Sequence, residues 1–80
     1  MTLLDRVRSE ISTEPKTITE LCEQFNELDE IRIMGCIARL QMEGIVSMVD
    51  FYKGYEPDGS AFYLARYAKT GAGGDDSDLP

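Results

Sequence analysis

Histidine is absent from this chain, cysteine occurs twice, and eight basic residues face fifteen acidic ones. Without histidine no nucleophile can be paired with an imidazole base. Cys22 and Cys36 lie fourteen positions apart with no second ligand pair, so the spacing of a self-contained zinc site is missing too. No glycine-rich loop has the spacing that cradles phosphate, since Gly71-Ala-Gly-Gly74 precedes no helix-forming segment. Carboxylates are plentiful, as in any acidic domain, and a pair of them carries no information here. A non-enzymatic chain without cofactor or metal is the expectation. The cysteines read as reduced core thiols, with a disulfide or a share in an intermolecular metal site as the alternatives.

Two further scarcities bound the setting. No apolar stretch approaches the roughly 18 residues of a membrane span, and Met1 to Arg6 lacks the basic start and apolar run of a secretion signal. A cytoplasmic protein that avoids membranes is expected. The formal charge is −7, and only three acids, Asp75, Asp76 and Asp78, belong to the tail GAGGDDSDLP. Without that tail eight basic and twelve acidic residues remain, a balance of −4, which repels nucleic acid at long range. Eighty residues suffice for one domain and leave no room for a second lobe.

What is present is a run of helix signals. Thr2-Leu-Leu-Asp5 has the form of a capping box, so a first helix begins near Leu3, with Leu4, Val7 and Ile11 as its apolar stripe. It should stop around Ser12, because Pro15 disfavours helical geometry at Glu14. Thr17-Ile-Thr-Glu20 repeats the box and predicts a short helix from Ile18 to Phe25, with Ile18, Leu21, Cys22 and Phe25 inward. Asn26-Glu-Leu28 makes a turn. Asp29 then caps a third helix through about Glu43, with Ile33, Ile37 and Leu40 buried and Gly44 at its stop.

Past Gly44 the pattern turns β-branched and aromatic. Ile45 to Tyr52 and Ala61 to Tyr67 read as two strands around a turn-rich loop from Lys53 to Ser60, longer than a tight hairpin requires. Residues 71–80 are rich in Gly and Asp, hold one large apolar residue, and are expected to be a disordered tail after a domain over residues 1–70.

Ile18-Thr-Glu-Leu-Cys22, the Leu28-Asp29 turn and Leu40-Gln-Met-Glu-Gly44-Ile-Val46 together resemble the winged helix-turn-helix superfamily, over about residues 3 to 67. The resemblance implies an α+β fold of three helices followed by a β-hairpin wing. It also implies that Asp29, Glu30, Ile31, Arg32, Gly35 and Arg39 face the groove, with Lys53, Tyr55 and Ser60 on the wing. Arg32 and Arg39 suit guanine edges and phosphates, and Lys16 and Lys53 suit the backbone on either side. Glu27, Asp29 and Glu30 crowd the end that would enter the groove, where a helix N-terminus favours them but phosphate does not.

Projected at 100° per residue, Ile31, Gly35, Ala38 and Met42 form a second apolar band opposite the core stripe. Either neighbouring helices cover it, or it is a contact surface for a partner helix or a second copy. Tyr52, Tyr55, Tyr63 and Tyr67 on the hairpin either pack with wet hydroxyls or stack on bases or a protein. Two activities remain. One is a DNA-binding transcription regulator, a homodimer whose paired half-sites on double-stranded DNA compensate weak monomer affinity. The other is an acidic protein-interaction module on the same scaffold, binding or inhibiting a regulator or a nucleic-acid enzyme by standing in for DNA.

Overall fold

The computed structural model describes residues 1–70. The expected disorder of residues 71–80 concerns positions outside them. Three helices and three strands follow in the order α1 (Leu3–Glu10), β1 (Lys16–Thr17), α2 (Ile18–Phe25), α3 (Glu30–Met42), β2 (Val46–Tyr55) and β3 (Ala61–Lys69). The strands form one antiparallel sheet in the order β1-β3-β2, so the fold is α+β. Among the described residues no helix is long and apolar enough to cross a membrane.

Each helix begins where its cap dictates. Thr2 Oγ1 accepts the Asp5 amide at 3.1 Å, and Thr17 Oγ1 accepts the Glu20 amide at 3.2 Å while the Glu20 carboxylate accepts the Thr17 N–H at 2.9 Å. Asp29 Oδ1 accepts the Ile31 amide at 2.9 Å. The ends are equally local. Asn26 ends α2 in the left-handed region, at φ 55°, and Gly44 stands at φ 78° after α3, where the Ile45 N–H reaches the Leu40 carbonyl at 2.9 Å. α1 closes at Glu10, two residues before the expected stop, because Ile11 is already extended.

Burial then joins the pieces. Val7 and Ile11 of the first segment meet Leu21 and Phe25, the α3 stripe Ile33, Ile37 and Leu40, and Val46 at the base of β2. Ile18, Cys22, Cys36 and Tyr67 close the margins of this cluster at partial burial. Leu21 and Phe25 are the fully buried members of the expected α2 set, since Ile18 and Cys22 sit at its edge.

Two features of the sheet differ from expectation. Lys16 and Thr17 pair with Tyr67 and Arg66 as a short strand, which covers one edge of β3 just before α2 begins. Lys53, Gly54 and Tyr55 belong to β2 and not to the hairpin loop, which is reduced to Glu56–Ser60. Its turn is closed by the Glu56 N–H on the Ser60 carbonyl at 2.8 Å, with Asp58 Oδ1 accepting the Ser60 amide at 2.9 Å. The longer ladder is possible because Gly54 faces Phe62. A Cβ at Gly54 would lie within 3 Å of three atoms of the Phe62 ring, so the ring occupies the space a side chain would need. A register irregularity between Met48 and Asp50 leaves Val49 as the extra residue of a bulge. Beyond it the hairpin leaves the core, and the molecule reaches 48 Å in its longest dimension.

Candidate interaction surfaces

α3 buries one stripe and turns the opposite one to solvent. Ile33, Ile37 and Leu40 lock it to the core, which leaves Ile31, Gly35, Ala38 and Met42 together on the outer face, all four exposed. Neither α1 nor α2 covers them. Ile31 keeps 75% of its surface and Met42 85%. Two exposed apolar residues outside the projected stripe border other hollows, Met34 one shared with Ile18, Leu64 and Tyr67, and Leu28 one shared with Cys22 and Asn26. Met34, three positions after Ile31, stays 51% exposed, and Leu28 in the preceding turn is fully exposed. Widening the projected stripe by one neighbouring row would have included Met34. Leu28 precedes the helix, and no periodicity speaks for it.

Arg32, Arg39, Lys16 and Lys53 are each already engaged. Arg32 lies 3.4 Å from the Glu27 carboxylate and Arg39 2.9 Å from that of Glu43, with both guanidinium groups more than 60% exposed. Lys16 Nζ donates to Gln24 Oε1 at 2.8 Å. Lys53 stands over the rings of Tyr55 and Tyr63, at 5.4 and 5.8 Å, as a cation held by two aromatic faces near the hairpin tip. Lys16 pairs with Tyr67 and Lys53 with Tyr63, so they are four residues, roughly 13 Å, apart along β3. Arg32 and Arg39 share one flank of α3, two turns apart. The two pairs lie on different elements, and carboxylates accompany the arginines.

Acid gathers at the start of α3. The Glu27 carboxylate accepts the Asp29 amide at 3.1 Å, and Glu30 lies 3.4 Å from the Thr19 hydroxyl. These groups act on the Cys22 thiol. Burial pushes its pKa up first, and the Glu30, Glu27 and Asp29 carboxylates push it further. The Cys36 thiol is raised mainly by burial. Both are free thiols, and their raised pKa values favour the protonated form.

The hairpin presents a second surface. Phe51, Tyr55 and Tyr63 are exposed on one face of this hairpin and Tyr52 and Leu64 on its other face. Between its base and the start of α2 runs a groove of about 260 Å³ lined by Thr17, Thr19, Glu20, Tyr52, Leu64 and Arg66. The Arg66 guanidinium is committed to Asp50, with Nε and a terminal nitrogen on the two carboxylate oxygens at 2.7 and 2.6 Å. This fork spans the strands directly after the bulge and pins the register there.

Hydrogen bonding depresses several carboxyl pKa values: Asp5 through Thr2, Glu43 through Arg8 and then Arg39, Asp50 through Arg66, and Asp58 through Ser60. A pKa lowered in the folded state contributes stability above the unfolded value, and that contribution is lost as pH falls through the folded one. Thermal midpoints should therefore be flat above about pH 5 and decline below about pH 4. The decline should be shallow, because all four groups face solvent. Circular-dichroism melts between pH 2 and 7 measure it. No family model, curated protein or solved structure matches this chain.

Proposed function

We propose that the chain is a non-catalytic, cytoplasmic protein-interaction module on a winged helix-turn-helix scaffold, with α3 as its contact element. The order of three helices before a long β-hairpin, with a short strand between the first two helices, supports the scaffold. One observation carries the activity: Ile31, Gly35, Ala38 and Met42, with Met34 at the margin, make an exposed apolar face where a groove-reading helix needs polar side chains. Electrostatics agree. Residues 1–70 are negative by four, and Glu27, Asp29 and Glu30 stand at the end of α3 that would approach phosphate.

A DNA-binding regulator is the second reading, and the exposure of Arg32 and Arg39 favours it. Surface ion pairs of this kind are worth at most about 1 kcal/mol, so phosphate could displace Glu27 and Glu43. Fluorescence anisotropy with a random-sequence duplex at 50 mM salt separates the two. The interaction reading predicts no saturable binding below about 100 µM, weaker than ordinary non-specific DNA binding. Binding that steepens as salt falls, with a slope reduced by about two when Arg32→Ala and Arg39→Ala are combined, would establish the DNA reading instead.

A further inference from the structure

The outer face of α3 reads the same in both directions. Ile31, Gly35, Ala38 and Met42 are spaced four, three and four residues apart, so the order from either end is large, small, small, large. From this we infer that the occupant of the face is a second copy of this chain, with the two α3 helices antiparallel about a two-fold axis level with the Cys36–Ile37 peptide. The inference rests on α3 being a protein-contact face and names its partner. In that register Ile31 meets Met42 of the second copy and Gly35 meets Ala38, each pair occurring twice, as an isologous interface demands. A partner of different sequence would impose no such symmetry.

Three further observations support self-pairing. First, the bulk is of the right order: Ile31, Ala38 and Met42, with Met34 at the margin, expose at most about 500 Å² per copy, so two copies can bury up to about 1,000 Å², where specific interfaces begin. Second, Gly35 has no use inside its own chain. A Cβ there meets nothing within 4 Å, and glycine in a helix interior costs about 1 kcal/mol relative to alanine. At the crossing point its absent side chain admits the second backbone to about 8 Å.

Third, the arginine flank of the pair also carries carboxylates. The two-fold brings like flanks together, and at a rise of about 1.5 Å per residue Arg32 comes to within about 3 Å, along the axis, of the level of Glu43 of the second copy. Arg39 of the second copy stands on the same flank at a like distance from the level of Arg32; Glu27 accompanies Arg32, and Glu43, which also holds Arg8 at 2.7 Å, accompanies Arg39. On the other flank Glu30 comes to within about 3 Å of the level of Gln41 of the second copy, an amide donor for its carboxylate. Antiparallel helix dipoles also oppose.

Sedimentation equilibrium of the full chain from 1 to 500 µM tests the pairing. Wild type should dimerise. Ile31→Lys and Met42→Glu, both at exposed positions and folded by circular dichroism, should each weaken the dimer at least about 30-fold. Mixed in equal amounts they should recover a dimer with one of each, because the introduced lysine then meets the introduced glutamate while the other end keeps its native pair. Variants that remain dimeric, or a mixture that stays monomeric, would overturn the antiparallel pairing. A wild-type chain monomeric at 500 µM overturns the second copy as partner. If random duplex DNA then shifts the α3 amide resonances, the protein-contact reading falls with it; if it does not, that reading stands and only the partner is wrong.

Discussion

Phe25→Ala should remove about 3–5 kcal/mol of folding stability. A domain of this length has roughly 4–12 kcal/mol in all, so the variant sits at the edge of unfolding at 25 °C. The upper part of the range is expected for two reasons. Phe25 is the largest of the fully buried side chains and sits where α1, α2 and α3 converge. Its ring also shelters Arg6, whose guanidinium carbon lies 5.8 Å from the ring centre while a terminal nitrogen donates to the Phe25 carbonyl at 3.3 Å. Truncation opens a cavity with a charged group at its wall. α2, only eight residues long, is too short to persist without that packing. Urea denaturation measures the effect: the midpoint should fall with the slope unchanged. Phe25→Leu, which keeps most of the volume, should cost about 1.5 kcal/mol or less. A loss under 1 kcal/mol for alanine would mean that this ring does not anchor α2.

The residues that make Phe25 central were readable in the sequence, because the physics that places them is local. A threonine three residues before an acid sets the start of α1 and of α2, and α2 ends at Asn26, which accepts the left-handed conformation. The α3 stripe follows from helical periodicity alone. The strand over Lys16 and Thr17 was not readable, since two residues have no period and their pairing with Tyr67 and Arg66 spans fifty positions. Lys53-Gly54-Tyr55 misled for a related reason. Glycine between two bulky residues signals a turn until the cross-strand Phe62 ring is known to fill its place. The outer face of α3 was legible as a pattern and not as a surface. Its exposure depends on where α1 and α2 dock, and that is decided by Ile33, Ile37 and Leu40 on the opposite side.

Thr17→Val should cost about 1–2 kcal/mol, which lowers the thermal midpoint by about 5–15 °C in a domain of this size. Thr17 is 7% exposed, the buried polar residue of the core, and it serves two elements at once. As the last residue of β1 it pairs with Arg66; as the cap of α2 its hydroxyl accepts the Glu20 amide. Valine preserves the branched shape that the strand and the core require. What it removes is the acceptor, so the Glu20 N–H loses its partner at a partly buried site. Thr17→Ser keeps the oxygen and deletes one methyl group, worth about 0.8 kcal/mol. Comparison of the two thus separates capping from packing. Thr2 offers the control, for its box has the same form but is exposed. Water can replace its hydroxyl, so Thr2→Val should cost about 0.5 kcal/mol, the low end for a cap. Equal losses at the two sites would show that burial contributes nothing to the α2 cap, and that β1 does not shield it from solvent.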